Sequence, residues 1–255
     1  MTDTHRKPIL EVRNLTVGYG DFIVLEKLNF TVYEGEIFII LGGSGCGKST
    51  VLKHIIGLNE PICGDILIGG ISMVNSSEQI KWELTRKFGV LYQSGALFSS
   101  LTLEENVALP LKEFTELSPD MISSVAKLKL SLVGLEGFEQ FLPSELSGGM
   151  KKMAGLARAL ALDPKILFFD EPSAGLDPIS SAELDKLILD LRKNLGCTMI
   201  IVTHELDSIF SIADRVIILD KEKKGIVEEG DPRELRKNSP NDWVRKFLNR
   251  SNMRG

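Results

Sequence analysis

Apolar positions along the chain follow two different spacings. Ile9, Leu10, Val12, Leu15 and Val17 are interleaved with polar residues, and residues 28–32 form a second such stretch. Interleaving of this kind marks strands with one face on a core and one in water, so an antiparallel β lobe is expected near the N-terminus. The runs at 38–41, 166–170, 199–203 and 215–219 are almost continuously apolar, as in strands buried on both faces. Helical spacing is seen at 49–56, 182–195 and 206–212. Strands alternating with helices predict a parallel sheet with helices on both faces. The middle of the chain is different. Helices are expected at 102–109, at 119–133 and in a stretch near Phe138, with few strand signals. Thr102 followed by Glu105 forms a capping box, and Pro119 suits a first helical turn. This region reads as a helical lobe inserted in the α/β core, at about residues 94–162. Residues 1–230 then form a single domain, and 231–255 form a helical tail.

Composition narrows the classes. The chain has 255 residues, 43% hydrophobic and 25% charged, which is a globular balance. Thirty Lys and Arg stand against 35 Asp and Glu, a net charge of −5, so no nucleic-acid partner is expected. Cys46, Cys63 and Cys197 form no CxxC pair, which indicates neither a zinc site nor a disulfide framework and suits a reducing compartment. No apolar run approaches the roughly 18 residues of a membrane helix, and MTDTHRKPIL has no signal-peptide core. A soluble, cytoplasmic chain is the expectation.

The run Gly42, Gly43, Ser44, Gly45, Cys46, Gly47, Lys48, Ser49 fits G-x-x-x-x-G-K-[ST] between a strand and a helix. Glycines let the backbone approach phosphate oxygens, and the amides of Gly45, Gly47 and Lys48 donate to them at a positive helix end. Lys48 neutralises the β- and γ-phosphates, Ser49 ligates Mg²⁺, and Thr50 lies nearby on phosphate. Cys46 lacks a His partner and reads as a packing residue. The strand ILFFDE ends in Asp170, placed for Mg²⁺, and Glu171, placed to polarise an attacking water. LSGGM, at 146–150, opens a helix and offers Ser147 and the amides of Gly148 and Gly149 as a second anion site. One chain therefore has two phosphate-binding edges but one Lys-bearing loop, which a head-to-tail dimer reconciles.

This set, in this order, resembles the ATP-binding subunit of ABC transporters across about the whole chain. The resemblance implies a P-loop NTPase core with a parallel sheet, an N-terminal antiparallel lobe and an inserted helical lobe. It implies ATP and Mg²⁺ as cofactors and a second copy as partner. Tyr19 then stacks on adenine, and Gln93 approaches Mg²⁺ and the water. Ser147, Gly148 and Gly149 contact the partner's nucleotide. The SAGLD run ending at Asp177 lies at the dimer seam, and His204 contacts the γ-phosphate. Met150 departs from the family's Gln, and Met153 interrupts its basic run. Met makes no amide hydrogen bonds, which puts fine positioning in doubt.

QSGALF (93–98), PSELSGGM (143–150) and DEPSAGLDPI (170–179) together resemble the ATPases of Mla-type, MCE-associated lipid transporters. That implies an integral membrane permease of the MlaE type, an MCE-domain lipid carrier and a possible small regulatory subunit. The location implied is the cytoplasmic face of a bacterial inner membrane. Leu97 and Phe98 are either part of a permease groove or lobe core. The basic residues Arg233, Arg236, Lys237, Arg245, Lys246 and Arg250 are either a solvated face or a lipid-headgroup contact. Trp243, Val244, Phe247 and Leu248 clasp a second copy or dock on their own domain.

Overall fold

The two apolar spacings become two sheets in a computed structural model that describes residues 6–249. In chain order the elements are β1 (Pro8–Tyr19), β2 (Phe22–Tyr33), β3 (Ile37–Gly42), α1 (Lys48–Ile55), β4 (Cys63–Ile68), β5 (Ile71–Ser72), α2 (Glu78–Thr85) and β6 (Phe88–Leu91). There follow α3 (Leu103–Phe114), α4 (Pro119–Leu132), α5 (Gly148–Ala159), β7 (Ile166–Asp170), α6 (Pro178–Leu195), β8 (Thr198–Thr203) and α7 (Leu206–Ile212). The last are β9 (Arg215–Asp220), β10 (Gly225–Gly230), α8 (Pro232–Asn238) and α9 (Asp242–Leu248). The interleaved strands form a four-stranded sheet in the order β2-β1-β4-β5, antiparallel throughout. The continuous apolar strands form a six-stranded sheet in the order β10-β9-β3-β8-β7-β6, parallel except for β10.

Successive residues of a strand point to opposite faces, and both faces of the larger sheet are covered. Ile37, Ile39 and Leu41 of β3 pack with Leu167, Phe169 and Ile201 against a core that includes α3, α4, α5 and α6. Phe38 and Ile40 pack with Phe168 and Val202 against α1 and the antiparallel sheet. Phe38, Phe168 and Phe169 are fully buried. Each such side chain contributes about 1.5–3 kcal/mol by leaving water. Arg215 of β9 ties the two sheets: its guanidinium pairs with Glu36 at 2.6 Å, donates to Thr31 O and lies over the Tyr33 and Phe38 rings.

Two expectations change. The stretch near Phe138 is not a helix. It folds as turns, with Phe138 N on Leu135 O and Phe141 N on Phe138 O. Gly134 and Gly137 flank it and weaken any helix there. The helix after Thr102 runs on through Pro110 to Phe114. β4, β5, α2, β6 and β10 had no clear signal in the pattern. The capping box itself forms: Glu105 N donates to Thr102 Oγ1 at 3.2 Å and Thr102 N to Glu105 Oε2 at 2.8 Å.

Val244, Phe247 and Leu248 of α9 are buried in the chain's own core, and Trp243 stacks on Phe247. Leu97 packs on the core while Phe98 is exposed. Arg233 and Arg236 are engaged within the chain, on Ala213 and Phe210 carbonyls and on Asn249. Arg250 lies outside the described residues. Among the described residues, no helix is long and apolar enough to cross a membrane.

Candidate nucleotide site

Strand register gathers the motifs at one edge. Leu41 pairs with Thr203, Asp170 with Val202 and Leu91 with Phe169. The chain leaves β3, β8, β7 and β6 at this shared carboxyl edge, and the residues just beyond are the phosphate loop, His204, Glu171 and Gln93. The crevice outside the carboxyl ends of parallel strands is where open α/β sheets hold ligands.

The phosphate loop is shaped from below and open above. Gly47 has φ +101°, and a Cβ there would meet Val24 and Leu25 side chains at 2.7 and 2.8 Å, so only glycine fits. A Cβ on Gly43 or Gly45 would meet nothing within 4 Å, which leaves that face of the loop free for phosphate oxygens. α1 starts without a side-chain cap, so its first amides and its dipole are available to an anion. Cys46 is buried, and burial pushes its thiol pKa up, partly opposed by the Lys48 charge. It packs under Gly42, where a Cβ would lie 2.5 Å from its Sγ.

Five charged or polar groups meet at the end of β7. Lys48 Nζ donates to Gly42 O at 3.0 Å and Gly43 O at 3.3 Å, and it lies 3.6 Å from Glu171 Oε1. Ser49 Oγ donates to Asp170 Oδ1 at 2.7 Å. A hydroxyl and a carboxylate at this separation form a hard oxygen pair of the kind Mg²⁺ takes. Glu171 Oε2 is 2.9 Å from His204 Nδ1, and His204 Nε2 is 3.5 Å from Glu205 Oε1. Glu171 has φ +49°, rare for a side chain with a Cβ, and its amide is held on Val202 O at 2.8 Å. Left-handed backbone costs about 1–2 kcal/mol in an L-residue, and here it aims the carboxylate between Lys48 and His204. Tyr19 is half-exposed, with its hydroxyl 3.4 Å from Thr50 Oγ1.

Other expected residues are placed apart. Gln93 is exposed at the same edge, and no hydrogen bond joins it to Asp170 or Glu171. Ser147 caps α5 by accepting from Met150 N at 3.2 Å, and Asp177 caps α6 by accepting from Ile179 N and Ser180 N. The Ser180 hydroxyl, first of all, lowers the Asp177 carboxyl pKa. Among the described residues, no hydrogen bond or ion pair links Ser147, Gly148, Gly149 or Asp177 to the phosphate loop. Met150 and Met153 pack on the core.

The pattern of residues does not single out three side chains that shape the site's surroundings. Arg158 of α5 donates to Ala96 O and Gly95 O, at 2.8 and 3.0 Å. Asn106 is fully buried and holds Phe98 by both its N–H and its carbonyl. Lys152 is buried and donates to Pro172 O at 2.6 Å and Ala174 O at 2.5 Å. Only the run of charge at Lys151–Lys152 could have drawn attention, and a doubled lysine on a helix reads as a solvated face.

A family model described as ABC transporter matches residues 25–174. The chain belongs to the ABC transporter family. The expected fold of parallel sheet, antiparallel lobe and helical insertion holds. MlaF of Escherichia coli (strain K12), an intermembrane phospholipid transport system ATP-binding protein, is 40% identical over 94% of this chain and 88% of its own length. The probable ribonucleotide transport ATP-binding protein mkl of Mycobacterium tuberculosis (strain ATCC 25618 / H37Rv) is 43% identical over 94% of this chain. The chain spans 66% of that relative's length. Among solved structures, the dimeric ATP-binding cassette MJ0796 bound to ADP and Pi has a TM-score of 0.79 and 30% identity, covering 87% of this chain and 98% of its own. The structure of cbiO1 from Clostridium perfringens has a TM-score of 0.82 and 31% identity, covering 97% and 96%.

Proposed function

We propose that this chain hydrolyses Mg·ATP as half of a head-to-tail dimer and so powers lipid movement through an MlaE-type permease with an MCE-domain carrier. The observation that carries the reading is the placement of Glu171 between Lys48 and His204, beside the Ser49–Asp170 pair. The phosphate loop and Lys48 bind the phosphates. Ser49 and Asp170, with Gln93, hold Mg²⁺, which neutralises phosphate charge when bound. Glu171 orients the attacking water and accepts its proton, and His204 holds the carboxylate and meets the γ-phosphate. Tyr19 supports the adenine. Ser147, Gly148 and Gly149 reach the nucleotide of the second copy, with Asp177 at the seam. A division into residues 1–230, with 94–162 inserted, and a tail at 231–255 accords with this scheme.

Permease docking is supported by a cleft of about 410 Å³ lined by Phe88, Tyr92, Phe98, Pro110 and Phe114. The cleft lies between β6 and the helices that follow it. Attachment there places the chain peripherally on the cytoplasmic face of the inner membrane. A lipid cargo is supported by the likeness to MlaF. The likeness to mkl favours a second reading, ribonucleotide transport. Mass spectrometry of the purified native complex separates the two. Bound phospholipid with an MCE-domain partner is the expected result, and bound ribonucleotide cargo with no MCE partner overturns the lipid reading. For the chemistry, Glu171→Gln is expected to keep ATP binding, lower turnover by about 100- to 10,000-fold and accumulate an ATP-bound dimer. Undiminished hydrolysis in that variant removes Glu171 from its role.

A further inference from the structure

α5 has two ends of different use. Its first turn presents Ser147, Gly148 and Gly149, and its buried face carries Lys152. The Lys152 ammonium is held by two backbone carbonyls, Pro172 O at 2.6 Å and Ala174 O at 2.5 Å. These carbonyls lie one and three residues after Glu171 and bracket Ser173, whose buried Oγ has no hydrogen-bond partner. Packing repeats the link: a Cβ on Gly149 would lie 3.6 Å from Leu176 Cδ2 of the same loop. Further along α5, Gly155 sits against Gly95, and Arg158 holds the Gly95 and Ala96 carbonyls. The helix is therefore fastened both to the loop behind Glu171 and to the segment that follows Gln93. Burial lowers the Lys152 pKa, and the Glu171 charge works in the opposite sense.

We propose that Lys152 is a positioning residue, tying the LSGGM end of each copy to that copy's own Glu171, so that engagement of one nucleotide in the dimer sets the carboxylate at the other. The inference rests on the head-to-tail reading above, in which Ser147 faces the partner's nucleotide. A buried ammonium on two carbonyls suits this task. Movement of α5 breaks two charge-assisted bonds unless the Pro172–Ala174 backbone moves with it. A shift of about 1 Å in a catalytic group can cost about 100-fold in rate.

The test uses the full-length chain in its native transporter complex, with kcat and KM for ATP and the thermal midpoint measured for each variant. Lys152→Met is expected to lower kcat by about tenfold or more while KM stays within about threefold. Lys152→Arg, which keeps two donors, is expected to restore at least about a third of kcat. Lys152→Met and Ser147→Ala in the same chain are expected to cost less together than the product of their separate effects. A kcat for Lys152→Met within about twofold of wild type, effects that multiply, or no rescue by Arg overturns the proposal. If the Met variant does not fold, Lys152→Gln decides, and a kcat within about threefold of wild type overturns it. Glu171→Gln runs beside them. If it hydrolyses ATP like wild type, the site reading fails whatever Lys152 does.

Discussion

Two buried lysines each hold two backbone carbonyls, and what surrounds them differs. Lys48 bonds Gly42 O and Gly43 O under an open glycine loop, with Glu171 at 3.6 Å. Lys152 bonds Pro172 O and Ala174 O behind Glu171, and no carboxylate lies within ion-pair distance among the described residues. Both side chains are buried, but the glycine loop beside the first has free space at Gly43 and Gly45 where an anion can add, whereas the second lies behind Glu171 on two carbonyls. The same contrast holds for the helix starts. α1 has no side-chain cap, while Ser147 caps α5. The phosphate-loop region therefore assembles its acid, base and cation pairs within one chain. Among the described residues, no hydrogen bond or ion pair joins the α5 start to the phosphate loop of its own chain, and in the proposed dimer it meets the nucleotide of a second copy.

The largest expected effect strikes the phosphate-loop lysine. Lys48→Met should weaken ATP binding and turnover together by about 100-fold or more, read from nucleotide titration and steady-state hydrolysis. Its thermal midpoint should also fall, because Gly42 O, Gly43 O and Glu171 are left without their buried cation. Unchanged ATP affinity would break the comparison at its first half. Ser147→Asn probes the second half and should be smaller. Asn still caps α5, so stability is retained, and binding of ATP to the isolated chain is unchanged. Turnover of the complex should fall by about tenfold. Equal loss in isolated chain and complex would place Ser147 in its own chain's site.

The smallest effect touches neither lysine. Asp185 of α6 is buried, and burial raises its carboxyl pKa, partly opposed by a hydrogen bond from Ser208 of α7. The unfolded chain keeps the ordinary value. Between that value and the raised one, the folded state binds the extra proton, so stability falls as pH rises through this window. The cost is complete above it. Asp185→Asn should add roughly 0.5–1 kcal/mol at neutral pH and flatten that slope, as read by denaturant unfolding at several pH values. ATP turnover should not change.

Much of the site could be read along the chain because its groups are local. The phosphate loop, ILFFDE and IVTHE each stand at the end of an apolar strand, and parallel pairing brings such ends together. The residues around them were harder to read. Lys152 looks like half of a surface pair, and only the Pro172–Ala174 loop packed beneath α5 turns it inward. Asn106 resembles any helical Asn until the 98–102 loop folds over it. The turns near Phe138 mimic helix spacing because Leu135 and Phe138, three residues apart, pack on the core for tertiary reasons. β6 is short, and its pairing with β7 rather than its own pattern makes it a strand.

Local chemistry in the sequence determined which residues are the candidates for phosphate, cation and water, because a glycine loop with Lys48, a strand-terminal Asp170–Glu171 pair and a strand-terminal His204 carry donors, hard oxygens and a base wherever they fold. It also determined the two kinds of strand, since burial on one face or two leaves different spacing. Only the tertiary structure decided that Glu171 lies between Lys48 and His204 at φ +49°, that Lys152 is a clamp rather than a surface charge, and that α9 docks on its own chain. Those outcomes depend on which distant segments cover a side chain, and burial of that kind is a property of packing between elements that no single stretch of sequence contains.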